Sequence, residues 1–319
     1  MNRANILEVL TAEGHGAHAA SVEAVIQPAI WLRAEKLADR PSNPGAEGEG
    51  EDDDDDEDED EAGESAPAAA AEAGRTTARF PSLEAALASL PLGASRFGGV
   101  PDLPPGVEWP SRDDVPMEFV AQLRLADAAG LDPLGRLPTT GHLWFFYNSQ
   151  WLTFDQDQDH ACCAVLYHDV ADDQLVRQAP PRVDYQGEYD SAPRLAPYVH
   201  GLATLGFRAG DTVPGGVSPW ITGTPLEQFW QDFTAYHGGR FAIEGDVKFQ
   251  SNRLLGYVDG QDYVDAHLHG TGDQLLLQVD SEDAADFQWG DCDRLYFFVS
   301  KEELAARNFS KARLYSLLG

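Results

Sequence analysis

Two short runs constrain this chain more than anything else in it: Leu143-Trp144-Phe145-Phe146-Tyr147 and Leu295-Tyr296-Phe297-Phe298-Val299. Alternate side chains of a strand point to opposite faces, and both runs are apolar at every position, so each must be a strand covered on both sides. A chain with two such strands needs a sheet with further layers over it. Its 319 residues, 43% of them apolar, suffice to bury such a core as one large domain or two fused ones.

Aligning the two runs extends the correspondence upstream. One copy reads Arg96-Phe97-Gly98-Gly99-Val100-Pro101-Asp102, then Phe119-Val120-Ala121-Gln122, then Gly141-His142 and the aromatic run. The other reads Arg253-Leu254-Leu255-Gly256-Tyr257-Val258-Asp259, then Leu275-Leu276-Leu277-Gln278, then Asp293-Arg294 and its aromatic run. Gly99 and Gly256 are 157 residues apart, Gln122 and Gln278 156, Phe145 and Phe297 152, a drift that loop-length changes absorb. Each copy reads as a Gly turn, a strand ending in Gln, an acidic loop (Asp127 to Asp132; Asp280 to Asp286) and an aromatic strand. The expected class is α+β and β-rich: two pseudo-repeated sheet units packed into one body with a few peripheral helices. A cleft is expected between the units, where ligand sites are common.

Residues 1–40 hold helical pieces at Asn5 to Leu10 and Ser21 to Ile26 and a strand at Pro28 to Leu32. Residues 41–78 break the pattern with an acid run from Glu51 to Glu61 among Gly, Ser, Pro and Ala, and are expected to be a disordered insert. Residues 79–319 form the main domain, its halves at about 79–215 and 216–319. There Ser82 is placed to cap a short helix carrying Leu83, Leu87 and Leu90 on one face, ended by Pro91. Thr224 and Glu227 form a capping box, with Pro225 at the first helical position, before the stripe Leu226, Phe229, Trp230, Phe233 and Tyr236. Further strands are expected at Ala161 to Tyr167, Phe241 to Ile243 and Leu275 to Val279.

Charge narrows the partners. With 22 Lys+Arg against 54 Asp+Glu the net charge is -32, which argues against nucleic acid, whose binders concentrate cations, and for a basic protein or peptide. Glu47 to Glu64 contain 14 acidic residues and no Lys or Arg, so the remainder carries -18 and is acidic in its own right. The acid run reads either as a solvated loop that aids solubility or as an electrostatic lure for a basic partner. Its length is tolerable because loop-closure entropy grows slowly. The first 30 residues lack the basic start and apolar stretch of a secretory signal, and no run approaches the roughly 20 apolar residues of a membrane span. Three cysteines, Cys162, Cys163 and Cys292, make neither a disulfide framework nor a zinc knuckle. A cytoplasmic protein without membrane contact, metal or cofactor is expected.

Several residues carry candidate chemistry. Gln122 and Gln278 end apolar strands; they either satisfy backbone groups at a sheet edge or face the cleft and hold an extended peptide. Gly98 and Gly99 suit a turn with positive φ, and they lack the further glycine and the Lys of a phosphate loop. Trp109, pinned between Pro104-Pro105 and Pro110, is either a core plug or part of a binding surface. Asp102 and Asp259 occupy equivalent places in the two copies, and an enzyme acting on a small substrate would use them as an acid/base pair across the cleft.

Other patterns fail on chemistry. Asp155, Asp157 and Asp159 imitate a calcium loop, but His160 stands where Gly is needed and Leu166 where Glu is needed. His267 and His269 lack a third ligand at a helpful spacing. Gly216-Val217-Ser218-Pro219-Trp220 ends in Trp where a nucleophile elbow needs Gly. Cys162 and Cys163 read as buried thiols and not as nucleophiles paired with His160.

Together, Pro28-Ala29-Ile30, the Gly98-to-Pro104 turn with Trp109-Pro110, Ala121-Gln122-Leu123, Gly141-His142-Leu143, Leu254-Leu255-Gly256-Tyr257, Leu275-Leu276-Leu277-Gln278 and Leu295-Tyr296-Phe297-Phe298 resemble the YwqG-like family. That is a bacterial domain of unknown function. The resemblance covers nearly the whole chain apart from the acidic insert, which departs from the family pattern. At superfamily level the family is similar to eukaryotic proteins of the programmed-cell-death-two type, which resemble dedicated chaperones for a ribosomal protein, and some bacterial relatives resemble immunity proteins. The resemblance implies binding of a protein or peptide, chaperone-like or immunity-type, and not turnover of a small molecule.

Overall fold

The computed structural model describes residues 3–12, 14–41, 78–148, 162–186, 194–214, 227, 252–258, 270–289 and 294–316. The acidic insert, the helix expected after Thr224, the strand at Phe241 to Ile243, the calcium-like loop, His267, His269 and the Gly216 to Trp220 turn lie outside them, as do Asp259 and Cys292.

Ten antiparallel strands make one barrel-like sheet that nearly closes. They are β1 (Gln27–Ala38), β2 (Arg96–Gly98), β3 (Glu118–Arg124), β4 (His142–Tyr147), β5 (Cys163–His168), β6 (Leu202–Thr212), β7 (Arg253–Leu254), β8 (Gln274–Asp280), β9 (Arg294–Val299) and β10 (Arg313–Ser316). Their order across the sheet is β10-β9-β8-β7-β1-β6-β2-β3-β4-β5. Short helices decorate it: α1 (Arg3–Ala12), α2 (Ala19–Glu23), α3 (Leu83–Ser89), α4 (Leu125–Ala128) and α5 (Lys301–Ala305). Ser82 caps α3 as its sequence suggests, its Oγ accepting from Ala85 N–H at 3.2 Å. None of the described helices is long and apolar enough to cross a membrane.

The alternation of the two aromatic strands explains the layers. Leu143, Phe145 and Tyr147 of β4 point into the barrel interior with Leu295, Phe297 and Val299 of β9, where Phe145 and Phe297 meet edge to face at 5.1 Å. The intervening Trp144 and Phe146 pack under an outer layer with Leu103, Trp109 and Leu175, and Tyr296 and Phe298 pack with Val258 and Tyr315. Both strands are thus covered on both faces, as expected.

Where two sheet units with a cleft between them are expected, the described strands form one continuous sheet. β1 pairs with β6 from Gln27↔Thr212 to Ala38↔Leu202, and this ribbon links β7 on one side to β2 on the other. The interior between the flanks is filled by side chains such as Phe97, Ile30, Leu277 and Leu314. At the seam β5 meets the turn that leads into β10: Cys163 Sγ lies 3.6 Å from the Ala312 carbonyl oxygen, and the Tyr167 and Phe309 rings meet at 5.4 Å.

Candidate functional site

A dense buried polar arrangement sits on the outer face of β2 and β3. Arg96 and Gln122 are register partners across these strands, with neither side chain exposed, while their neighbours Phe97 and Ala121 point into the barrel. Beyond Arg96 the chain must turn back over its own sheet. Gly98 and Gly99 take φ of 64° and 67°, and Gly99 N–H donates to the Gly201 carbonyl at 3.0 Å. A methyl group on Gly98 would meet that carbonyl oxygen at 1.8 Å, so only glycine allows the approach.

The turn delivers Asp102 onto Gln122. Asp102 N–H donates to Gln122 Oε1 at 2.8 Å, and Trp144 Nε1–H donates to the same oxygen at 2.9 Å. The Gln122 amide nitrogen donates to the Ala94 carbonyl at 3.1 Å and to Asp102 Oδ2 at 3.3 Å. Arg96 donates to Asp102 Oδ2 at 2.9 Å and to the Val100 carbonyl, Gly93 N–H donates to Oδ2 at 2.9 Å, and Arg177 Nε donates to Oδ1 at 2.8 Å. Burial pushes the Asp102 carboxyl up, but Arg96, Arg177 and Gly93 outweigh it and hold its pKa below the ordinary value. Beside it His142, 3.0 Å from Asp172 and stacked on Trp144, is shifted down by burial against the pull of that carboxylate.

Trp109 is buried, its Nε1–H donating to the Met117 carbonyl at 2.8 Å and its ring meeting Phe146 at 5.5 Å. It plugs the outer layer. On the other flank Arg253 and Gln278 are also register partners, fully buried or nearly so, with Arg253 Nη2 donating to Gln278 Oε1 at 3.1 Å. Arg253 Nε donates to the Tyr257 carbonyl at 2.8 Å, and its guanidinium lies 4.9 Å from the centre of the Trp31 ring.

The structure therefore brings Gly98, Gly99, Asp102 and Gln122 together and places Gln278 with Arg253 in the other flank. Both glutamines are spent on internal hydrogen bonds and have no exposed surface, so neither faces an open cleft. Both Asp102 oxygens accept from protein donors, which leaves the carboxylate as a charged strut with no face open to a substrate.

What opens to solvent lies one step further out. A groove of about 790 Å³ has apolar walls of Phe80, Leu83, Leu87, Val100 and Val199. Arg177 belongs both to this groove and to the buried network, because its guanidinium also reaches the Leu87 carbonyl in α3. Asp39, Glu84, Arg40 and Arg182 supply the other charges of the lining. Arg182 Nη1 donates to the Pro197 carbonyl at 3.0 Å, and Arg40 donates to the Tyr198 hydroxyl. The sequence offered one signal for this site, the arginine heading each copy: an arginine beside an apolar strand needs a buried partner. Nothing local marked Arg177, which lies 75 positions from Asp102.

A family model, a domain of unknown function (DUF1963), matches residues 95–316. The chain belongs to this family. No curated protein matches it. The DUF1963 region takes in β2 to β10 and the whole Arg96–Asp102–Gln122–Arg177 network. It leaves out β1, although β1 lies between β6 and β7 in the middle of the sheet. The groove is consequently composite: Val100, Arg177, Arg182 and Val199 come from the DUF1963 region, and Arg40, Phe80, Leu83 and Leu87 precede it.

Proposed function

We propose that this DUF1963 protein is a cytoplasmic protein- or peptide-binding module of the YwqG-like type, chaperone-like or immunity-type, drawn to a basic partner by its net charge of -32. The observation that carries the reading is the groove. Its apolar walls stand on a charge-paired network with little freedom to move, and a preorganised concave surface loses little entropy when it receives a side chain. The acid run joins the fold beside it: Pro41 lines the groove, and Phe80 N–H donates to the Leu37 carbonyl at 2.8 Å on the far side of that run. Encounter is then electrostatic and seating apolar, a division of labour common in protein recognition.

The same reading includes an internal duplication. It is supported by the paired Arg96↔Gln122 and Arg253↔Gln278 registers, and by consecutive positive-φ residues two and three positions after each arginine, Gly98-Gly99 and Leu255-Gly256. Matching register shifts at Phe119/Ala121 and Leu275/Leu277 support it too.

The test is affinity capture at low and high salt with three proteins: the intact chain, a form lacking residues 47–64, and Leu83→Glu. Support would be a basic protein held by the intact chain at low salt and released by high salt and by Leu83→Glu. A basic partner retained equally by Leu83→Glu would move the seat elsewhere, and no basic protein retained by any form would end the binding reading.

A further inference from the structure

A second hollow, of about 500 Å³, is lined by Leu134, Arg136, Gln274, Lys301, Leu304 and Arg307 among others. Its charged lining residues are all cationic, in a chain where acids outnumber bases 54 to 22. Arg136 is committed to Asp132 and to the Pro28 carbonyl, each at 2.8 Å. Arg307 shares a hydrogen bond with Tyr167, and Lys301 opens α5 in the same lining. On the rim stands Leu134, 65% exposed, the most exposed large apolar side chain of the described chain. An apolar residue left in water in a hollow whose charged lining is cationic is an amphipathic arrangement.

Arg307 is one of five described non-glycine residues with positive φ, with Asp113, Asp114, Leu255 and Asp286. It follows the end of α5 at φ 58°, and Asn308 N–H donates to the Glu303 carbonyl at 2.8 Å. This is the left-handed position after a helix that glycine usually fills, so an arginine there carries backbone strain. At Arg307 this strained position goes with a guanidinium that lines the hollow.

We propose that this hollow binds a small organic carboxylate with an apolar tail, its carboxylate held by Arg307 and Lys301 and its tail lying on Leu134 and Leu304. A guanidinium fork matches a carboxylate in shape and charge, and the volume falls within the range of small-molecule sites. The inference is independent of the groove described above.

Octanoate titrated calorimetrically into the full chain tests it, with octylammonium and acetate as comparison probes. Saturable octanoate binding is expected, tighter than acetate and without a counterpart for octylammonium. Arg307→Gly and Lys301→Gln should each weaken it about tenfold, as loss of one charge-assisted hydrogen bond implies. Arg307→Gly should meanwhile melt no lower than the parent, because glycine relaxes the backbone, so its loss of binding cannot be unfolding. The proposal is overturned if octanoate fails to saturate, if acetate or octylammonium binds as tightly, or if affinity survives Arg307→Gly and is lost in Arg182→Gln at the other groove.

Discussion

Single residues hold the outer layer of this protein in place, and two of them give sharp tests. Gly98→Ala combines a positive φ with a contact of 1.8 Å on the Gly201 carbonyl oxygen, whereas Gly135→Ala shares the positive φ, at 61°, but meets nothing within 4 Å. The first should prevent stable folding; the second should cost only about 1 kcal/mol, and urea unfolding of the two variants separates steric from conformational cost. Asp102→Asn leaves Arg96 buried without its counter-charge and should cost about 3–5 kcal/mol. The sign of its pH dependence follows from the depressed carboxyl. The stability it contributes is complete above the unfolded pKa, near 3.8, and is lost as pH falls through the lower folded value. The acid limb of the parent's stability profile should therefore be steeper than that of Asp102→Asn. Glu282, whose pKa burial raises, slopes the other way but equally in both proteins, so the difference between the profiles isolates Asp102.

Elements were legible in the sequence where the pattern was local and not where it was shared. The β4 and β9 runs announce themselves because every position is buried, and α3 because Ser82 and its leucines lie within two turns. β6 gave no such signal: between its buried ends the middle carries Gly206, Arg208 and Gly210 and is half exposed, so it reads as a loop until its pairing with β1 is known. That omission hides the ribbon that joins the two flanks into one sheet. Gln122 and Asp102 were visible as candidates, but their use as struts depends on Arg177, which only the pairing of Asp102–Leu103 with Val176–Arg177 brings near. The seam between β5 and β10 yields a prediction of its own. Burial pushes the Cys163 thiol up, away from thiolate formation, and the side chain is 5% exposed. A thiol reagent at mildly alkaline pH should leave Cys163 unmodified in the native protein and label it once denaturant opens the barrel. Fast native labelling, mapped by peptide mass, would mean that the seam opens readily.

At the scale of the whole molecule, charge is the dominant quantity. A net charge of -32 sets the fold against its own repulsion, and the residues from Glu47 to Glu64 account for 14 of those charges. Raising ionic strength from roughly 0.01 M to roughly 0.15 M shortens the Debye length from about 30 Å to about 8 Å, which screens this repulsion while leaving buried pairs such as Arg96–Asp102 nearly untouched. The melting temperature of the intact chain should therefore rise over that range. A form lacking residues 47–64 carries -18 and should melt higher at low salt and gain less from added salt. The comparison separates two roles for the acid run. If the deletion leaves the salt response unchanged, the repulsion resides in the folded body, and the run acts on what approaches the protein and not on its stability. If the deletion flattens the response, the run costs stability at low salt, a cost that is understandable if it is retained to attract a cationic partner.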